Sequence, residues 1–191
     1  MFSADKLVAS GGKIYCHLFE NSLTGLPRNV YWSFTIDFDP IRYEDDDWNC
    51  SMTCEWLTWP LRDWRELAGR SLALGYGDEG SESSFYMCEH DIGKSTRLRI
   101  GSRTGNSFDL DMEMIVDFEG YTGKDRNPAM LVRGRSTVPF SGVIVVPDNL
   151  SPKPNTPVEM RRAVAAFLDT TLLKGPEPWR HAFRMEPLLG I

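Results

Sequence analysis

Apolar and charged residues alternate most regularly between Thr96 and Phe118. On the first arm Leu98 and Ile100 alternate with Arg97, Arg99 and Arg103, and on the second Leu110, Met112, Met114, Val116 and Phe118 alternate with Asp109, Asp111, Glu113 and Asp117. A period of two is the mark of half-buried antiparallel strands. With Thr104-Gly105-Asn106 as the loop, Leu98 falls opposite Met112, Ile100 opposite Leu110, Arg99 opposite Asp111 and Arg97 opposite Glu113. One register then pairs apolar with apolar on one face and opposite charges on the other, so the row of carboxylates reads as a cross-strand salt ladder rather than a metal site.

The same alternation predicts a strand from Lys13 to Glu20 and another from Val30 to Phe38, ended by Pro40. Short strands are expected at Phe85 to Cys88, Met130 to Val138 and Gly142 to Val146, the last a continuous β-branched run suited to burial on both faces. Pro60 is placed to begin a helix that carries Leu61, Trp64, Leu67, Ala68 and Ser71 on one face. A second helix starts at Thr156, where Pro157 and Glu159 complete a capping box, and its apolar stripe of Met160, Val164, Phe167, Leu168, Thr171 and Leu172 runs toward Gly175-Pro176. Roughly seven consecutive strands and two helices predict an α+β fold, a mainly antiparallel, strongly twisted sheet with both helices packed against it. The expected organisation is a single globular domain over residues 1–191, with the Pro-rich stretch 147–157 as a stiff connector.

Composition narrows the function classes. Charged residues are 25% and hydrophobic residues 41%, ordinary globular usage, and the net charge of −6 opposes binding to a phosphate backbone. Met1 to Lys6 puts an acid where a secretory signal carries positive charge, and no run approaches the ~20 apolar residues of a membrane span. A soluble cytoplasmic protein is expected, with no nucleic-acid or membrane partner.

Several motifs tempt. Gly75-Tyr76-Gly77-Asp78-Glu79-Gly80 matches the dinucleotide fingerprint letter for letter, but the expected helix precedes it and a strand follows, the reverse of what pyrophosphate binding requires. Asp45-Asp46-Asp47-Trp48-Asn49 opens like a calcium loop, yet Cys50 and Trp56 stand where that loop needs glycine and glutamate. Cys50, Cys54, Cys88 and His90 supply the donor types of tetrahedral zinc, although Cys-x₃-Cys is an uncommon knuckle and cysteine is often buried as a small hydrophobe. No cofactor is expected, with zinc at these four residues as the alternative. His17, His90 and His181 are available for acid–base work, and Cys88 near His90-Asp91 is a conceivable nucleophile, but no recognisable constellation joins them.

The acidic connection Glu44, Asp45, Asp46 and Asp47 lacks the nearby basic partners that the hairpin acids have, and Trp48 follows it as the most exposed of four closely spaced tryptophans; Trp64 is the surest core residue among them. Crowded carboxylates repel one another, and a cationic partner relieves that repulsion. These five residues are therefore the expected contact for a basic protein, in a non-enzymatic, inhibitor or immunity-type role. The alternatives are an enzyme or ligand-binding domain built on the Cys/His set, and a structural subunit that meets its own copy through the Val143–Val146 region or the C-terminal helix.

Overall fold

The computed structural model describes residues 3–43, 45–87, 89–117 and 129–188. The strands are β1 (Ala9–Asn21), β2 (Leu26–Tyr43), β3 (Asp46–Leu57), β4 (Ser71–Gly75), β5 (Glu82–Met87), β6 (Glu89–Thr104), β7 (Ser107–Val116), β8 (Met130–Val145), β9 (Glu177–Trp179) and β10 (Ala182–Met185), with one α-helix, α1 (Pro157–Ala165), among the described residues. Neighbours pair in the order β1-β2-β3-β5-β6-β7-β8, and β8 then pairs in parallel with β1 through Cys16–Val143, His17–Ile144 and Leu18–Val145. Seven strands thus close into a barrel, and 60% of the described residues are in strands. β4 adds to β6 outside this ring, and β10 followed by β9 extends from β8.

The expected α+β fold with a mainly antiparallel open sheet and two helices is therefore corrected to a mixed parallel and antiparallel closed barrel with one helix. Alternation along each strand identifies the inward face but says nothing of the first strand meeting the last. Closure removes both sheet edges, whose unpaired backbone groups are otherwise a liability.

The inward positions fill the barrel with large side chains: Ile14, Trp32, Phe34, Met52, Phe85, Leu110, Met112 and Phe140 are all fully buried. The β6–β7 pairs Leu98–Met112, Ile100–Leu110, Arg99–Asp111 and Arg97–Glu113 form as the alternation predicts. An irregularity between Ile100 and Arg103 brings Thr104 opposite Ser107, so the connection is Gly105-Asn106 rather than three residues. Glu113 is shared, with Arg133 of β8 at 2.8 Å and Arg97 at 3.9 Å.

Neither helix expectation held in full. Only Trp64–Leu67 forms a single 3-10 turn where the first helix was expected. Leu61, Trp64 and Leu67 recur every three residues, a spacing that suits a 3-10 turn as well as an α-helix. Gly69 then turns at φ +80° and its N–H donates to the Ile100 carbonyl at 2.9 Å, which leads the chain into β4. At α1 the capping box is present, with the Glu159 N–H 3.2 Å from Thr156 Oγ1 and the Thr156 N–H 3.2 Å from the Glu159 carboxylate. The helix stops at Ala165 because the chain beyond it is held elsewhere: the Asp169 N–H donates to the Arg62 carbonyl at 2.6 Å, and Arg161 donates to the carbonyls of Thr170 and Leu173.

Two prolonged strands also differ from expectation. β2 runs through Pro40 because a register shift between Phe38 and Ile41 leaves that proline at a bulge, where its missing N–H disturbs no ladder. The two strands expected over 130–146 are one, bent at Gly142, whose φ is +111°.

Candidate functional site

The β2–β3 hairpin carries the acidic run at its tip. Tyr43 pairs with Asp46, Arg42 with Asp47 and Ile41 with Trp48, while Asp45, Asp46 and Asp47 are exposed; Glu44 lies outside the described residues. Arg42 faces Asp47 at 3.4 Å, so one of these acids does have a basic neighbour, contrary to the sequence expectation. Trp48 is half-buried and packs against the core together with Ile41, which corrects its expected exposure. It packs just below the hairpin tip instead of standing proud of it. Two further acids are exposed lower on β2: Asp37, within the strand expected from the alternation, and Asp39, just past its expected end. Their signal was present in the alternation with the buried Ile36 and Phe38.

The described members of the cysteine and histidine set do not converge. Cys50 and Cys54 are buried on the inner face of β3, four residues and roughly 13 Å apart along an extended strand. Cys54 accepts from Ser83 Oγ at 3.5 Å, and burial pushes its thiol up to about 11. His90 pairs across the strands with Tyr86 on the outer wall, where its Nδ1 lies 3.3 Å from Ser84 Oγ, itself 3.3 Å from Thr53 Oγ1. Asp91 is buried and, one residue along the strand, lies on the opposite face from His90, so it does not orient that ring. Cys88 lies outside the described residues, and among those described no three His, Cys, Asp or Glu side chains gather as a metal site would.

The Gly75–Gly80 loop follows strand β4, contains a three-residue 3-10 turn at Asp78–Gly80 and leads into strand β5, so no helix N-terminus faces its glycines. The Gly75 N–H donates to the Asp78 carboxylate at 2.6 Å, so the loop's own acid occupies a backbone donor that a phosphate would need.

One constellation escaped the sequence reading. Phe34 pairs with Cys54 and Trp32 with Leu57, so Glu55 and Trp56 together face the single residue Ser33 in a β-bulge. Since Cys54 and Leu57 are both buried, the bulge sets Glu55 and Trp56 side by side on the outer wall. Trp56 has φ +63°, a left-handed conformation that costs a bulky residue about 1–3 kcal/mol. Its ring lies 5.1 Å from Phe19, 5.8 Å from Tyr31 and 6.0 Å from His17, nearly parallel to the imidazole, so aromatic packing offsets the strain. The trace in the sequence is a slip of phase: Cys50, Met52 and Cys54 alternate inward, and Leu57 rather than Trp56 continues the set.

Burial, reinforced by Glu55 at 2.8 Å, raises the Tyr15 phenol well above its ordinary value. Burial, with Lys13 nearby, lowers His17 to about 4, and its Nδ1 is buried without a hydrogen-bond partner among the described residues. Such a weak base is ill suited to proton abstraction at neutral pH. It has a consequence for stability. The unfolded His17, near 6.5, takes up a proton before the folded one does, so stability falls as pH drops from 6.5 toward 4 and is restored as pH rises. Urea midpoints measured across that window are expected to decline less in His17→Gln than in the native chain; parallel curves would remove His17 as the cause.

Among the described residues no helix is long and apolar enough to cross a membrane. The third sequence alternative, self-association through the Val143–Val146 region, meets a strand segment whose residues 143–145 are already paired with β10 on one edge and β1 on the other. Comparison with protein-family models, with curated proteins and with solved structures finds no match to the chain.

Proposed function

We propose that this chain is a binding protein whose β2–β3 hairpin engages a basic surface on another protein. The observation that carries the reading is a contrast in charge pairing. Elsewhere on the surface carboxylates repeatedly have cations within reach: Glu20 with Arg28 at 3.0 Å, Glu113 with Arg133 at 2.8 Å, Asp117 with Lys94 at 3.2 Å and Glu186 with Lys174 at 2.9 Å. On the hairpin Asp37, Asp39, Asp45 and Asp46 form no ion pair with any described residue, and Asp47 meets Arg42 only between side chains 67% and 63% exposed. A pair so open to water contributes little. The hairpin therefore projects uncompensated negative charge on a rigid stem, an arrangement that speeds encounter with a cationic partner and selects against acidic ones. An inhibitor or immunity-type role, capping a basic toxin or enzyme, fits this chemistry.

Native mass spectrometry of protein isolated at low salt supplies the test partner. Its association is then compared between the native chain and the triple variant Asp45→Asn, Asp46→Asn, Asp47→Asn. The association rate at low salt is expected to fall about tenfold or more, with a shallower salt dependence and little change in dissociation. An unchanged association rate overturns the proposal.

A further inference from the structure

At the end of β3 remote from the acidic tip, a cleft of about 390 Å³ opens between the barrel mouth and the turn that follows α1. Its floor is Val30 and Leu61, both buried, and the half-buried rings of Trp59 and Phe167 line it from separate parts of the chain. Trp59 is held edge-on against Phe34 inside the barrel at 5.5 Å. The Phe167 side is tied down by two bonds from one residue: Arg62 Nη1 donates to the Ala166 carbonyl at 3.1 Å, and the Arg62 carbonyl accepts from the Asp169 N–H at 2.6 Å. The cleft is thus preformed.

Its polar lining is unbalanced. Asn29 accepts from the Val30 N–H through its side-chain oxygen, which leaves its amide donor unused by any described residue. Thr58 makes no side-chain hydrogen bond within the described chain, and Arg62, exposed, gives one bond to a neutral carbonyl and forms no ion pair with a described residue. Among the described residues no carboxylate lines the cleft. Two rings, surplus donors and an unneutralised guanidinium complement a flat apolar body that carries a single negative charge. The acids of the hairpin tip do not oppose this. Trp59 lies two residues past the far end of a twelve-residue strand that starts at Asp46, so the tip is separated from the cleft by the length of the strand, up to roughly 40 Å of extended chain against a screening length of ~8 Å at physiological salt.

We infer that this cleft is a binding site for a small aromatic carboxylate, its ring against Trp59 and Phe167 and its carboxylate on Arg62. The inference is independent of the hairpin reading.

The test uses the full chain and two probes of nearly the same shape, indole-3-acetate and its neutral counterpart indole-3-acetamide. Binding is followed through the Trp59 indole N–H resonance, assigned with Trp59→Phe. The acetate is expected to bind about tenfold tighter than the amide, since only it gains a charge-assisted bond. Arg62→Gln is expected to bring the two probes to equal affinity, with the amide itself also weakened because the Ala166 carbonyl loses its donor, and Phe167→Ala to weaken both probes by about fivefold or more while keeping the preference for the acetate, with well-dispersed amide spectra showing that each variant is folded. Equal affinities for the two probes, a preference that survives Arg62→Gln, or no saturable shift from either probe by about 10 mM overturns the site.

Discussion

Replacing Gly142 with alanine is expected to destabilise the protein by about 3 kcal/mol or more, out of proportion to one added methyl group. A Cβ at this position would lie 2.2 Å from the Met185 carbonyl oxygen, a backbone atom that no side-chain adjustment can withdraw, and the residue's φ of +111° is itself foreign to alanine. The damage falls where the barrel closes. Gly142 bends β8 after its pairing with β7 has ended at Pro139, at the register shift in its pairing with β1 between Phe140 and Val143, and just before its pairing with β10 takes up Val143 to Val145. Forcing β10 away also frees the strand segment that covers this edge. The control is Gly11→Ala in β1, where a Cβ would meet open space and φ lies outside the left-handed region; there the change is expected to be neutral or to stabilise by about 0.4–1 kcal/mol through the unfolded chain. Urea unfolding of the two variants measures both, and a Gly142→Ala midpoint as high as that of Gly11→Ala would show that the close approach to β10 is not what sustains closure.

The placement of Gly142 also shows which parts of the fold a pattern of residues conveys. The β6–β7 register was legible because both faces of the hairpin constrain it: a slip of one residue would bury Arg99 and Asp111 and would expose Leu98 and Met112. The capping box at Thr156 was legible because it is completed within four residues. Closure was not, since it pairs residues 14–18 with residues 140–145 and alternation carries no information about which distant edge a strand will meet. The missing first helix and the short second one have a more local cause. A spacing of three apolar residues does not separate one 3-10 turn from a longer α-helix, and of the stripe expected beyond Ala165, Leu168 is buried although the chain there has left the helix, while Thr171 is exposed.

For the candidate site the balance is similar. The acids at Asp45, Asp46 and Asp47 could be read directly, as charge without neighbours of the opposite sign, and the hairpin places them at a tip. The role of Trp48 could not, because an aromatic after four carboxylates fits an exposed anchor and a packed stem equally well until its cross-strand partner, the buried Ile41, is known. The cleft beside Arg62 joins Asn29, Trp59 and Phe167 across more than a hundred residues, and no spacing rule connects them.

The second large effect concerns the aromatic plug that fills the other side of the barrel mouth. Trp64 is 1% exposed, stacks on Phe140 at 5.1 Å with the rings 15° from parallel, and meets Phe108 edge-on at 6.0 Å. The Arg103 guanidinium lies 5.6 Å from its ring on the solvent side. Trp64→Ala is expected to lower stability by about 3–5 kcal/mol, the range for removing a fully buried aromatic and leaving a cavity that stiff strands cannot close. The phenylalanine variant separates two contributions. Trp64→Phe keeps the stack on Phe140 but deletes the indole N–H, which is buried here without a hydrogen-bond partner among the described residues. An unsatisfied buried donor costs about 1–3 kcal/mol, so its removal offsets much of the lost area, and the net loss should stay below about 2 kcal/mol. Paired denaturation curves decide the point. Should phenylalanine prove as damaging as alanine, the indole N–H contributes favourably and the plug depends on a polar contact; should it be nearly neutral, ring stacking alone seals this end of the barrel.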